Sequence, residues 1–314
     1  MDTSPQIPIS VVIATMNRGD SLSKTVESIL NNNYSDFEII AIDQSTDNIC
    51  KKSIEKYREK SHFFYHHIDD TGMARARNFG IEKASGEIIA ITDDDCIVPE
   101  NWLLEIQKIF IQYPRVAIVF GNVLPAEHDG SSGFIPGYVR EYMRVVSWVL
   151  DKNDVDGLGA CMAIRKQVWL ECHGFDNMLG VGGMLHSSSE GDLVLRALHK
   201  GYQVCETPDV FTIHRGFRTW AEGSQLIYRY WYGTGAMYGK HLKLYPGSTC
   251  VLLLSLAWRW AFGKSRVAAS IGLQTKKIYR LQSFVSGFLK GVLLGIDRKT
   301  GHFKEDKSNL GRLL

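Results

Sequence analysis

Three short apolar runs, each leading into a cluster of polar residues, constrain this chain more than any other feature. Ile9 to Thr15, Phe37 to Asp43 and Glu87 to Thr92 are rich in β-branched residues and carry little polarity until their ends. A run that is apolar at nearly every position has no face to offer water, so each reads as a strand covered on both sides. Helical spacing fills the intervals. Leu22, Val26, Ile29 and Leu30 recur at helical spacing within Asp20 to Asn33, Asn48 to Lys60 reads as a charged helix, and Thr71 to Ser85 reads as a helix ended by Gly86. Phe63 to Ile68 is a further short strand. Strands alternating with helices predict an α/β fold with a Rossmann-like, mostly parallel sheet and helices on both faces.

The pattern breaks between residues 124 and 158, where Gly130, Gly133, Pro136 and Gly137 mark loops around one amphipathic stretch, Tyr138 to Leu150. This segment reads as an insertion over the sheet on the acceptor side. Strand and helix signals resume at Ala160 to Arg165 and Asp192 to Lys200. A last strand, Val210 to His214, precedes an aromatic-rich helix from about Arg218 to Tyr238. The expected organisation is a catalytic domain over residues 1–239 and a basic, amphipathic appendage over 240–314.

Charge separates the two parts. Residues 1–239 hold 22 Lys and Arg against 31 Asp and Glu, a net −9, whereas residues 240–314 hold 14 against 3, a net +11. In the second part Ile278, Leu281, Phe284, Val285, Phe288, Leu289, Val292, Leu293 and Ile296 share a helical stripe, with Lys276, Lys277, Arg280, Lys290, Arg298 and Lys299 around it. Basic residues alternating with apolar runs suit an anionic membrane surface and not a nucleic acid. Packing of the stripe on the catalytic domain is the competing expectation. Cys250 to Phe262 is apolar but contains Arg259, too short and too charged to span a bilayer alone. Met1 to Gln6 has no signal-peptide character, and the six cysteines have no paired or metal-type spacing. A cytoplasmic protein is expected, peripheral on the cytoplasmic face of a membrane if the tail binds one.

In open parallel sheets ligands bind at the carboxyl ends of the strands. There the polar residues gather: Thr15-Met-Asn-Arg18, Asp43-Gln-Ser-Thr-Asp47 and Asp93-Asp-Asp95. Three consecutive carboxylates after a buried strand repel one another unless a cation sits among them. Oxygen ligands favour Mg²⁺ or Mn²⁺, which commonly complete their shell with substrate phosphates. The bland readings are a helix cap at Thr15 and Arg18, a surface ion pair from Arg77 to Glu82 or Glu87, and dipole-favoured helix-start charges at Glu190 and Asp192.

Taken together, Val11-Val-Ile-Ala-Thr-Met-Asn-Arg18, Ile42-Asp-Gln-Ser-Thr-Asp47, Ala76-Arg-Asn-Phe-Gly80 with Ala84-Ser-Gly-Glu87, Asp93-Asp-Asp95, Gly159-Ala-Cys-Met-Ala-Ile-Arg165, Gly174-Phe-Asp176 and Glu190-Gly-Asp-Leu-Val-Leu-Arg196 resemble the inverting family 2 glycosyltransferases of the GT-A fold, over roughly residues 8–220. The resemblance implies transfer of a sugar from a nucleotide-diphosphate sugar to a glycan or glycolipid acceptor. It implies that Thr15, Asn17, Arg18 and Asp43 hold the nucleoside and that Arg77 lies near the diphosphate. Asp93 and Asp94 would contact the nucleotide sugar or the metal shell, and Asp95 would bind the metal, with His214 as second ligand or phosphate contact. Ser189 stands where the family often has glutamate, and Glu190 stands where its catalytic aspartate does. The expected base is therefore Glu190, with Asp192 beside it. A sugar nucleotidyltransferase and a catalytically silent sugar-nucleotide-binding or assembly subunit are the alternative functions.

Overall fold

A computed structural model describes residues 6–262 and 277–305. Strands β1 (Ile9–Thr15), β2 (Phe37–Asp43), β3 (Phe63–His67) and β4 (Ile88–Asp93) alternate with helices α1 (Gly19–Leu30), α2 (Ile49–Ser53) and α3 (Met73–Lys83). After β5 (Cys96–Ile97), α4 (Trp102–Gln112) leads to the long β6 (Val116–Pro125). Next come β7 (Gly133–Phe134), β8 (Arg144–Val146), β9 (Cys161–Arg165), α5 (Lys166–Glu171), α6 (Ser189–His199) and β10 (Gln203–His214). The chain closes with β11 (Arg218–Thr219), α7 (Trp220–Leu244), α8 (Pro246–Phe262), α9 (Lys277–Leu293) and a two-stranded hairpin at Ile296–Asp297 and His302–Phe303.

The main sheet runs β3-β2-β1-β4-β9-β6-β10-β5, with β8 also on β10. The β3-β2-β1-β4 half is parallel throughout, whereas β9 enters antiparallel between β4 and β6. Alternation along the strands feeds two cores. Val11 and Ile13 face α1 and α4 through Leu22, Val26, Trp102 and Phe110, while Val12, Ile40 and Ile42 face α3, α5 and α6.

Two expected elements differ. The helix expected over Asn48 to Lys60 stops at Ser53 and gives way to a 3₁₀ turn at Glu55–Tyr57. Tyr138 to Leu150 forms no single amphipathic element: Tyr138 bridges to Val123, β8 pairs with β10, and a 3₁₀ helix begins at Val149. Edge pairing is available to its β-branched Val145 and Val146 and outweighs the weak helical spacing.

Residue 239 falls inside α7, which runs unbroken to Leu244. α9 lies parallel to α7 at a distance set by glycine. A Cβ on Gly235 would stand 2.0 Å from the Phe284 carbonyl oxygen, one on Gly239 2.4 Å from that of Phe288, and one on Gly287 1.9 Å from that of Tyr232. No side chain fits there, so backbone meets backbone. Phe284, with Phe288 packed beside it, joins Trp231, Tyr238 and Leu252 in a third core. No described helix is long and apolar enough to cross a membrane. Lys276 and residues 1–5 lie outside the described residues.

Candidate active site

The register of β1 with its neighbours sets Thr15 beside Asp43 and Ala14 beside Asp93, so the polar strand ends share one edge. Asp43 is fully buried there; one carboxylate oxygen accepts from the Ser45 amide at 2.8 Å and the other from the Tyr65 hydroxyl at 2.7 Å. Asn17 takes the left-handed conformation (φ 58°), a conformation asparagine tolerates, and its amide donates to Ser45 Oγ at 2.7 Å.

Asp94 and Asp95 share one cation within the chain. The Arg18 guanidinium, 42% exposed, donates to Asp94 at 3.1 Å and to Asp95 at 2.7 Å, while Thr15 Oγ1 donates to Asp94 at 2.7 Å. Burial pushes the Asp94 carboxyl up to about 6 against the pull of Arg18 and Thr15. Burial acts the same way on Asp95, but His214 and Arg18 outweigh it and hold that carboxyl below its ordinary value.

The pairing of β5 with the end of β10 brings His214 opposite Cys96 and so next to Asp95, whose Oδ1 lies 3.2 Å from His214 Nε2. That oxygen is buried and makes no hydrogen bond. His214 Nδ1 contacts the Pro136 carbonyl at 2.7 Å. A carbonyl only accepts, so Nδ1 carries a proton; burial would lower the ring's pKa, but Asp95 prevails and raises it, and a cation between the two side chains would take the place of the Nε2 proton. Gly216 leaves the space between them open: a Cβ there would stand 2.5 Å from Asp95 Oδ2 and 2.7 Å from His214 Nε2. An orphaned carboxylate oxygen, a correctly turned imidazole and a glycine-kept gap fit a divalent cation. Cys96 is the third potential ligand in this group, but burial raises its thiol far above the range in which it would ionise.

Arg77 is 1% exposed, lodged between Asp93 (3.0 Å) and Glu190 (2.5 Å). It thereby ties the strand ends to the start of α6. Gly159 makes the room, since its Cβ would fall 2.2 Å from Glu190 Oε1 and 2.6 Å from Arg77 Nη1. Ser189 Oγ donates to the other Glu190 oxygen at 2.8 Å. Burial would raise the Glu190 carboxyl, but Arg77 prevails and keeps it below its usual value, so it is ionised at neutral pH. The Glu190 side chain is 20% exposed and lines a cavity of about 240 Å³ together with Lys152, Asp156, Tyr230, Thr234 and Trp260.

Asp192 turns the other way. Two residues along a helix is about 200° of rotation, and Asp192 is fully enclosed, bonded to Arg196 (2.9 Å), Lys240 (2.7 Å) and His241 (2.8 Å). Lys240 continues to Asp176 at 2.7 Å, which also accepts from the Phe303 amide at 2.9 Å. This cluster joins α6, α7 and the C-terminal hairpin and does not line the cavity. The structure thus groups Thr15, Arg18, Asp94, Asp95 and His214 at the strand ends, links Arg77, Asp93 and Glu190 in a second group, and sets Asp192 apart. The sequence did not reveal the roles of Gly159, Gly216, Lys152 or Asp156. Gly159 at least opens a recognisable motif, whereas Gly216 carries no local signal at all.

Residues 10–172 match the sequence model of glycosyl transferase family 2. The chain belongs to that family. As a family 2 glycosyltransferase it is 25% identical over 254 residues to the glucosyl-dolichyl phosphate glucuronosyltransferase of Haloferax volcanii, covering 76% of this chain and 78% of that one. It is 37% identical over 135 residues to glycosyltransferase GlyG of Streptococcus pneumoniae serotype 4, but spans only 43% of that protein's length. Among solved structures, S. aureus TarS 1-349 superposes with a TM-score of 0.63 at 15% identity, covering 91% of this chain and 81% of that one. The mannosyltransferase PcManGT of Pyrobaculum calidifontis, in complex with GDP-Man and Mn²⁺, superposes at 0.56 and 17% identity, covering 92% and 88%. These likenesses establish the GT-A arrangement of this glycosyltransferase.

Proposed function

We propose that this glycosyltransferase moves a sugar from a nucleoside diphosphate donor to a hydroxyl of a glycan or glycolipid acceptor with inversion, with Glu190 as general base. The observation that carries the reading is the Glu190 carboxylate, ionised, braced by Arg77 and Ser189, and facing a cavity. An acceptor hydroxyl in that cavity would give its proton to Glu190 as its oxygen attacks the anomeric carbon from the side opposite the diphosphate, whose C–O bond breaks. Arg77 keeps the base aimed, at some cost to its basicity.

Asp95 and His214 would hold Mg²⁺ or Mn²⁺, which, when bound, would offset the negative charge of the diphosphate. A nucleotide-sugar donor and a divalent metal are also in keeping with relatives of the same fold, one in complex with GDP-Man and Mn²⁺ and one with UDP-GlcNAc. A glycolipid acceptor accords with the Haloferax relative, named for a glucosyl-dolichyl phosphate. The six cysteines are all free thiols, in keeping with a reducing, cytoplasmic setting.

The test is hydrolysis of UDP- and GDP-sugars with Mn²⁺ and with EDTA, followed by NMR of the released sugar. Metal-dependent release of the inverted anomer is expected, and the retained anomer would overturn the mechanism.

A further inference from the structure

α8 and α9 turn inward by one edge and outward by another. Leu252, Leu256 and Trp260 of α8 and Phe284 and Phe288 of α9 belong to the core built on α7. The outward positions of α8 include Cys250 and Val251, then Leu254 and Ala257 at helical spacing, without a charge among them. On α9 the outward set is Ile278, Leu281, Val285, Leu289 and Leu293, exposed from 42% to 81%. A helix of a water-soluble protein normally presents charge on this side. Here the glycine contacts with α7 lock α9 in place and the shared apolar core holds α8 beside it, so the apolar face is a fixed feature of the fold.

Basic groups frame it. Lys277 opens α9, Lys290 lies in its last turn, and Arg298 and Lys299 follow it, all exposed. From residue 246 to the last described residue the only acids are Asp297 and Glu305, and Glu305 is paired with Arg75 at 2.7 Å. A second copy of the chain would bring one basic rim against another, which charge repulsion opposes. A bilayer with anionic headgroups would receive the apolar stripe and pair with the rim at once.

We propose that the outward face of α8 and α9 docks on an anionic lipid bilayer, with the helices lying in the interfacial plane. α8 is the shared wall. Its Leu256, Arg259 and Trp260 line the cavity that holds Glu190, while Leu254 points outward. Docking therefore sets the acceptor cavity at headgroup level, where a lipid-anchored acceptor presents its sugar. This second step rests on the glycosyl-transfer reading of Glu190; the docking itself does not.

The experiment is co-sedimentation of the full chain with vesicles of phosphatidylcholine, alone or mixed with phosphatidylglycerol, at low and high salt. The chain should pellet with the mixed vesicles, less with phosphatidylcholine alone, and less as salt rises. Leu254→Asp combined with Leu289→Asp should lower the bound fraction about tenfold or more, with unchanged circular dichroism and donor hydrolysis. Lys290→Glu with Lys299→Glu should remove the preference for phosphatidylglycerol. A parent chain that stays in the supernatant, or an apolar-face variant that pellets like the parent, overturns the docking. So does sedimentation velocity revealing a dimer that the same variant abolishes. Hydrolysis without vesicle binding refutes the docking alone, whereas vesicle binding without hydrolysis or transfer refutes the functional reading and leaves the docking standing.

Discussion

The strand-end cleft and the enclosed cluster beside α6 are built from the same kinds of side chain, acids facing arginine and histidine with a lysine added in the cluster, and they differ in access. In the cleft Arg18 is 42% exposed and Asp95 keeps one oxygen without a hydrogen bond. In the cluster Asp192, Lys240 and His241 have no exposure, and both Asp192 oxygens have partners. An acid enclosed with both oxygens taken serves as a joint, whereas one with an oxygen to spare beside an exposed arginine keeps capacity for a ligand. Glu190 and Asp192, two positions apart, both have partners on each oxygen, and access alone separates them: the Glu190 side chain is 20% exposed and faces a cavity, whereas Asp192 has no exposure.

The sharpest test sets these two against each other. Glu190→Gln should cut sugar transfer by about 10²–10⁴ while leaving donor binding, measured by calorimetry, intact. Asp192→Ala should instead cost about 3–5 kcal/mol of stability in urea denaturation, because it strands buried Arg196 and Lys240. Its transfer rate per folded molecule should stay near that of the parent. If Glu190→Gln transfers normally and Asp192→Ala is folded but inactive, the division is reversed.

Within the cleft, Asp95→Ala should weaken Mn²⁺-dependent binding of a nucleoside diphosphate by about tenfold or more, since an anionic ligand is lost from the metal. Calorimetric titration with and without Mn²⁺ reads this directly, and equal affinities would remove Asp95 from the metal site.

The smallest effect is one of pH. Burial, aided by His241, pushes His199 down to about 4, and burial, aided by Arg196, does the same to His302. Unfolded, both would titrate near 6.5. Their folded values are depressed and their neutral forms are the ones the fold accepts, so their contribution is complete above about pH 6.5 and lost as pH falls toward 4. By pH 5.5 the loss should be on the order of 1 kcal/mol for His302 and less for the half-buried His199, whose shift solvent screens. Urea midpoints at pH 7.5 and 5.5 should separate accordingly, and His302→Gln should narrow the gap.

The parallel half of the fold was legible because β1, β2 and β4 are local apolar runs whose meaning does not depend on their partners, with the aromatic start of β3 marking the fourth strand. The insertion of β9 between β4 and β6 was not, since pairing order is a non-local property. Strand ends pointed to Arg18, Asp94 and Asp95 as a group, and β5 pairing with β10 added His214 in space. The family resemblance favoured Glu190 over Asp192 as base, but the difference in their surroundings was not legible, because it lies in which neighbours α6 meets. The apolar stripe at 278–296 was visible, but not that it divides between a buried edge at Phe284 and an exposed one at Leu289. The clue was Gly235-x-x-x-Gly239 opposite Gly287-x-x-x-Gly291, a spacing that means close helix approach only once both helices are in view.

That glycine seam makes the C-terminal helices inseparable from the enzyme. A chain cut at Gly239 would lose Lys240 and His241, leaving Asp192 with Arg196 alone, and would bare a furrow of backbone along α7 that water fills poorly. The tail therefore cannot be exchanged like a cassette between relatives. Any chimera that grafts a new targeting segment onto this catalytic body has to bring its own α7, and with it the matching partners for Asp176 and Asp192.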